Sequence, residues 1–342
     1  MAAETPPFWW QKPGLFSAAL WPAALAYASY ARRRIRAQGR VAVDVPILCV
    51  ASLAVGAAGK TPVAVAIAAH ASAIGMRPGF VSRGPSTLHH HAHLVAPRRD
   101  SVRHVGVEAL ELARHAPVAV SNRREDAARM LAAEGCDLVI LVDGFLGARL
   151  AIDHVAAVVE AARGLGNGRV IPAGPLRAPM VDQLRHVQSL VVLGDGDAAG
   201  DVIRHVARAG RPVHAARERP IAGELQGQRF LAFSSVGAPE HFHAMIREAG
   251  GEVVSSRSFA PGHHYTQEQA SDLAGMAQAQ GLELVTTVRD AIGLGQAAAP
   301  VKALIGKAQV LPIEVAFESA HSAGRIIAET VGAWQQRHLQ RN

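Results

Sequence analysis

The stretch from 50 to 62, VASLAVGAAGKTP, constrains this chain more than any other. An apolar, β-type run over residues 45–52 enters a turn of small residues. Gly59-Lys60-Thr61 follows, and then an Ala/Ile-rich helical run to Ile74. That order is the layout of a phosphate-binding loop. Backbone N–H groups at a helix N-terminus gather an anion, a Lys reaches the outer phosphates, and a hydroxyl ligates Mg²⁺. The strict pattern wants a Gly six residues ahead of Lys60, and Ala54 stands there instead. The spacing places nucleotide contact on Ala54, Val55, Gly56, Ala57, Ala58, Gly59, Lys60 and Thr61. The competing reading is an ordinary helix start with a surface Lys.

The rest of the chain suits such a loop. At 342 residues it has length for one large domain and a smaller one. Apolar runs at 45–51, 79–82, 118–121, 138–142, 154–159 and 190–193 alternate with helical stretches at 61–74, 108–114 and 124–134. Continuous apolar strands separated by helices predict a parallel sheet covered on both faces. Gly/Arg-rich segments at 194–200 and 215–227 mark a change. A second alternation then runs from 229 to 287, and a helix over 319–337 ends it. The fold class is α/β: a P-loop core with a mostly parallel sheet, plus a smaller C-terminal α/β domain. The expected boundaries are 1–40 for a membrane-associating helix, 41–222 for the nucleotide-binding core, and 223–342 for the small domain with the last helix. Cys49 and Cys136 fall inside apolar runs and read as buried free thiols in a reducing compartment.

The formal net charge of +7 favours polyanionic partners without choosing among them. Nucleic acid ranks last, because no basic–aromatic interleaving or reading helix accompanies the charge. The N-terminus points elsewhere. Phe8, Trp9 and Trp10 precede an uncharged stretch over 13–31, and Arg32-Arg33-Arg34-Ile35-Arg36 follow it. Aromatics beside an apolar helix with a basic cluster suit an anionic membrane surface. A secretory signal would carry its positive residues first, and an Ala-rich run broken by Pro22 inserts weakly. A helix docked on the core, or one with a second face in lipid, competes with simple membrane association.

Three further segments carry candidate chemistry. LVILVDG, 138–144, ends an apolar strand in Asp143, where a metal or its water is held in phosphoryl-transfer sites. The loop at 162–179 carries Arg163, Asn167, Arg169 and Arg177 among glycines, as a phosphate-binding loop does. FAPGHHYT, 259–266, sets His263 and His264 before a helix, where a His facing the nucleotide across a cleft assists proton transfer. The tract with His89, His90, His91 and His93 lacks metal-ligand spacing and reads as a biased loop.

Together these segments resemble one family, the tetraacyldisaccharide 4'-kinases of lipid A synthesis. The resemblance rests on VGAAGKTP, Arg77–Gly84, Gly106 with Glu108, Arg123-Arg124, LVDGF, ARGLGNGRVIPAGPLR, FAPGHHYT, TTVRDA and LPIE, in that order along most of the chain. It implies transfer of the γ-phosphate of ATP to the 4'-hydroxyl of a tetraacylated glucosamine disaccharide 1-phosphate. The setting is the cytoplasmic face of a bacterial inner membrane, with no obligate protein partner and no nucleic acid. Lys60 would contact the β- and γ-phosphates, and Thr61 and Asp143 would hold Mg²⁺. Arg123, Asn167, Arg169 and Arg177 would face the phosphorylated sugar. The chain departs from the family at Ala51-Ser52, Ala57, Val107, Val142, Ala178 and Pro261-Gly262. Val107 stands at the family's proposed general base, so Glu108 or His263 would take that task. These losses leave a second reading open: a catalytically silent relative that binds nucleotide or lipid A precursor.

Overall fold

The computed structural model describes residues 5–36, 40–56, 59–85, 91–147, 149–221 and 225–340. Its strands, in chain order, are β1 (Ile47–Ser52), β2 (Pro78–Ser82), β3 (His93–Leu94), β4 (Val118–Val120), β5 (Leu138–Val142), β6 (His154–Glu160) and β7 (Ser189–Leu193). They continue with β8 (Val213–Pro220), β9 (Arg229–Ser234), β10 (Glu252–Ser258), β11 (Glu283–Thr287), β12 (Ala308–Leu311) and β13 (Ile313–Phe317). A nine-stranded sheet runs β13-β8-β7-β6-β1-β5-β2-β4-β3, and a four-stranded sheet runs β10-β9-β11-β12. From β8 to β4 the neighbours are parallel, and β3 adds an antiparallel edge. The small sheet is parallel throughout.

The apolar continuity of β1 sends it to the middle of the large sheet, where every residue of it is buried. Parallel neighbours end at one edge, so the turns after β1 and β5 lie side by side. Val50 pairs with Val142, and the Asp143 N–H donates to the Val50 carbonyl at 2.8 Å. This carboxyl edge is where ligands bind in sheets of this kind. The helix Lys60–Ala73 covers the sheet with Val63, Ala64, Ile67 and Ala71 buried. The last helix, Ser322–Leu339, packs on that helix, and a Cβ at Gly324 would stand 3.0 Å from His70 Nε2. Arg337 of the same helix grips the buried Asp153 through Nε at 2.7 Å and Nη2 at 3.0 Å, while Asp153 Oδ2 also accepts the Ile47 N–H. A polar latch thus ties the last helix to the first residue of β1.

The chain divides differently from the sequence expectation. Among the described residues, one unit comprises stretches within 97–111 and 218–314; the other comprises stretches within 5–96, 112–217 and 315–340. Residues 5–36 therefore belong to the larger unit instead of standing apart as 1–40. The terminal helix also returns to the larger unit, because Arg337 and the Gly324 contact fix it there. The segment 97–111, with Glu108, joins the smaller unit. The polar stretch that marks a boundary in the sequence overlaps β8, an outer strand whose alternating burial hides it from a search for continuous apolar runs. Cys49 and Cys136 are buried and free.

His154 is buried in β6, with Nε2 2.8 Å from Ser189 Oγ and Nδ1 3.9 Å from a Glu329 oxygen. Burial pushes it down to about 4 from 6.5; Glu329 opposes the shift and His214 adds to it. Between those values the unfolded chain holds the proton and the folded chain does not, so stability is lost as pH falls. We expect the denaturant midpoint to drop from pH 6.5 to 4, and the drop to be shallower in His154→Gln.

Candidate active site

Gly59 caps the helix Lys60–Ala73 with φ of 85°. That conformation favours glycine, and a side chain there would run into Leu193. The chain can therefore turn sharply from β1 and aim the helix's first N–H groups along the sheet edge. Thr61 is buried and Lys60 is half-buried at this helix start. Ala57 and Ala58, two of the expected contacts, lie outside the described residues. The start of the turn is zipped to the 162–179 loop. Val55 N–H donates to the Pro175 carbonyl at 2.8 Å, Arg177 N–H donates to Leu53 at 3.2 Å, and Ala54 bridges Leu176.

Asp143 has a positive φ of 64°, uncommon for a residue with a side chain. The conformation is held on both sides. Its Oδ1 accepts the Gly144 N–H at 2.8 Å, and its Oδ2 accepts Arg177 Nη2 at 2.7 Å. Gly144, with φ of 94°, lies directly against the Arg124 guanidinium. Burial pushes Arg124 down; Cys49 and Asp143 push it back up, while Arg83 and Arg177 add repulsion. Burial and the Asp143 charge push the Cys49 thiol up, so it stays neutral. Nε of Arg124 and Nε of Arg177 have no partner among the described residues. Several arginines thus converge near one carboxylate. Asn122, Arg123, Arg124, Glu125, Gly147 and Arg149 line a cavity of about 340 Å³. A side chain at Gly147 would come within 3.5 Å of the Arg34 guanidinium. Arg123 is bound to Glu125 and Asp126. Arg149 and Arg34 escape sequence reasoning: the first follows a turn with no motif of its own, and the second reads only as membrane charge.

Asn167 and Arg169 sit elsewhere, against the N-terminal segment. Asn167 Nδ2 donates to Ala173 O at 2.9 Å, with Phe8 O and Ser17 Oγ at 3.3 Å, and its Oδ1 accepts the Arg169 N–H. The Arg169 guanidinium lies 5.0 Å over Trp21, and that of Arg163 lies 5.2 Å over Trp10. Trp9 Nε1 and Ser17 Oγ donate to the Pro172 and Ala173 carbonyls. Ala28 packs with Ala54, Val170 and Leu176 in one apolar cluster. Elsewhere the segment exposes Leu15 (89%), Phe16 (76%), Leu25 and Tyr30, and Trp21 stays partly exposed beside Arg169. The N-terminal segment, a short helix Leu15–Ala19 followed by the helix Trp21–Arg36 instead of one helix, is therefore docked on one side and open on another. Among the described residues no helix is long and apolar enough to cross a membrane.

In the smaller unit, Glu108 lies half-buried in the first turn of the helix Val107–Leu112. His263 is stacked on Phe259, centroids 4.7 Å apart, and meets the edge of Tyr265 at 5.2 Å. Its Nε2 lies 2.8 Å from Gln269 Oε1. The Thr266 N–H donates to the same oxygen as half of a capping box. A backbone N–H can only donate, so the Gln269 oxygen faces it and accepts from His263 Nε2–H as well. Nδ1 is left as the basic nitrogen. His264 is exposed.

Val142 and Ala178, where the resemblance leads one to expect acids, are both buried. Val142 sits in the β1–β5 pairing, and the Ala178 carbonyl accepts Gln183 Nε2 at 2.7 Å.

Comparison with known proteins shows the family and the fold. The profile of the tetraacyldisaccharide-1-phosphate 4'-kinase family matches residues 16–331. A tetraacyldisaccharide 4'-kinase of Mesorhizobium japonicum is 46% identical, covering 99% of this chain and 100% of that protein. Its counterpart from Brucella melitensis biotype 2 is 45% identical over 98% of this chain and 99% of its own. The fold is shared with LpxK of Aquifex aeolicus, crystallised in complex with ATP, at a TM-score of 0.71 and 21% identity, covering 92% of this chain and 99% of that one. Over nearly its whole length, the chain belongs to the tetraacyldisaccharide 4'-kinase family.

Proposed function

We infer that this protein transfers the γ-phosphate of ATP to the 4'-hydroxyl of a tetraacyldisaccharide 1-phosphate. The observation that carries this is the family match over 16–331, with Gly59-Lys60-Thr61 and Asp143 at adjoining parallel strand ends. The near full-length relatives bear the kinase name, which favours turnover over the silent-relative reading. In the transfer, the acceptor oxygen forms a bond to the γ-phosphorus, the bond to the β–γ bridging oxygen breaks, and ADP leaves. The hydroxyl proton passes to a base, for which Glu108 and His263 are the candidates; the basic Nδ1 of His263 suits that task.

Lys60 takes the β- and γ-phosphates. The Thr61 hydroxyl and the Asp143 carboxylate are hard oxygen donors and fit Mg²⁺. When bound, the ion neutralises charge on the transferring phosphoryl group. Arg177 holds Asp143 in its strained conformation. The cavity of Arg123, Arg124 and Arg149 suits an anionic sugar substituent. Asn167 and Arg169 serve by tying the loop to the N-terminal segment. That segment's open face, with Leu15, Phe16, Trp21, Leu25 and Tyr30 beside the exposed Arg32, Arg33 and Arg34, suits an anionic bilayer surface. There the substrate's acyl chains stay in lipid while its sugar reaches the arginines.

Radiolabelled transfer from ATP to the disaccharide 1-phosphate is expected for the wild type. Lys60→Ala should be slower by about 10²-fold or more, as for loss of one electrostatic clamp; equal rates in the two would end the kinase reading. For the membrane face, Leu15→Ser/Phe16→Ser should lower recovery on phosphatidylglycerol vesicles, with circular dichroism and ATP affinity unchanged. Undiminished sedimentation of that variant would leave the helix with a docking role alone.

A further inference from the structure

We propose that Arg289 and Asp290 are positioning residues for the transfer reaction, one holding the helix that carries Glu108 and the other the loop that carries His263. The proposal rests on the assignment of proton transfer to those two residues. Both positioning residues lie at the start of the helix Val288–Gly295, within the smaller unit.

Asp290 is buried, and its carboxylate collects donors from three separate segments. Oδ1 accepts the Tyr265 hydroxyl at 3.0 Å and the Ser235 hydroxyl; Oδ2 accepts the Thr287 hydroxyl at 2.6 Å and the Ser235 N–H at 3.1 Å. A buried carboxylate satisfied this fully is rigid, and its partners are rigid with it. Tyr265 is the link to His263. Its ring meets Phe233 at 5.8 Å, Phe259 at 5.0 Å and His263 at 5.2 Å, all near edge-on. With its hydroxyl pinned by Asp290, the ring becomes a fixed wall of the slot that holds the imidazole. Burial and the Asp290 charge push the Tyr265 hydroxyl pKa up, so it remains a donor. Gln269 sets which nitrogen of His263 carries the proton, and Asp290, through Tyr265, sets where the ring points.

Arg289 acts on the other segment. Its Nε and Nη2 donate to Glu111 Oε2 at 3.1 and 2.8 Å. Glu111 is three residues after Glu108 on one helix, so the two share a face. The far end of the Val288–Gly295 helix holds the same inserted segment. Gln296 Nε2 donates to the Asp100 carbonyl at 3.1 Å, and its Oε1 accepts the Val102 N–H. Residues 97–111 are remote in sequence from the rest of the smaller unit, and these polar clamps at both helix ends place them. Neither Arg289 nor Asp290 is asked to touch substrate. Their effect is on geometry, where a displacement near 1 Å costs about 10²-fold.

The test uses the full chain in mixed micelles. Tyr265→Phe keeps the ring and removes one hydroxyl; Asp290→Asn removes the charge; Arg289→Met removes the clamp on Glu111. Each is expected to lower kcat about tenfold or more, with KM for ATP and lipid within about twofold. Tyr265→Phe/Asp290→Asn should be no slower than Asp290→Asn alone, because both break one path. Imidazole ¹⁵N spectra should show the Nε2–H form of His263 in the wild type and in Arg289→Met, and averaged tautomers in Tyr265→Phe and Asp290→Asn. An unchanged kcat, an additive double variant, or an unperturbed His263 signal in Tyr265→Phe would overturn the Asp290 assignment. A normal kcat in Arg289→Met would overturn the other. If the wild type transfers no phosphate, the kinase reading falls, and the His263 spectra alone decide whether Asp290 orients that ring.

Discussion

The short pairing between residues 53–55 and 175–177 is the contact on which the carboxyl edge of the large sheet, with Gly59-Lys60-Thr61 and Asp143, depends. It is only a bridge and two backbone hydrogen bonds. Yet it fixes the entry to the phosphate turn and the position of Arg177 at once. Arg177 in turn holds Asp143, whose left-handed conformation would otherwise relax. Phosphate turn, loop and acidic residue therefore cannot be adjusted one at a time. Such coupling costs flexibility, and it supplies the pre-organisation that phosphoryl transfer draws on more than on covalent chemistry.

The same loop carries a second load. Its outer side receives Trp9, Ser17 and Ala28, and its two aromatic–arginine stacks lie on Trp10 and Trp21. A segment that exposes Phe16 to its surroundings thus touches, through one layer of side chains, the loop that zips the phosphate turn. Gly166 shows how close the approach is: a Cβ there would clash with the Trp9 carbonyl and come within 3.3 Å of the Trp10 ring. The exposed aromatic segment and the turn that begins the helix Lys60–Ala73 are built on one scaffold. The long GLGNGR run is consequently a structural joint at least as much as a binding loop.

Much of this was legible from residue patterns. β5 falls where its apolar run begins and ends, and β1 lies within one or two residues of its run, because buried parallel strands have no polar face to blur the signal. Asp143 follows from strand position plus a phosphate turn upstream. Other features were hidden for physical reasons. β8 is an outer strand with alternating exposure, so it reads as a polar linker. The insertion of 97–111 depends on Arg289 and Gln296, nearly two hundred residues away, and no local pattern encodes such a pair. Asn167 looks like a ligand-binding residue in sequence because Gly-Asn-Gly is what a binding loop needs, and a tight joint needs the same residues. The convergence of Arg124, Arg149 and Arg34 comes from three separate elements that only the fold brings near.

Val142 and Ala178, where the resemblance implies acids, are apolar in this chain, and that bears on the charge of the site. Val142 and Ala178 are both fully packed, so neither position keeps room or solvent for a carboxylate. Glu125 and Asp126 are engaged by Arg123, which among the described residues leaves Asp143 as the acid facing Arg124 and Arg177, while Arg83 repels Arg124. Arginines this close repel one another, and half-buried guanidinium groups with unpartnered Nε atoms are costly. An anion entering the site relieves both penalties. Charge building on a transferring phosphoryl group is stabilised by fixed cations whether they are metal-bound or guanidinium. On the proposed function, a site with few acids and several arginines would keep the means to stabilise that charge, with Arg124 and Arg177 placed to share the task.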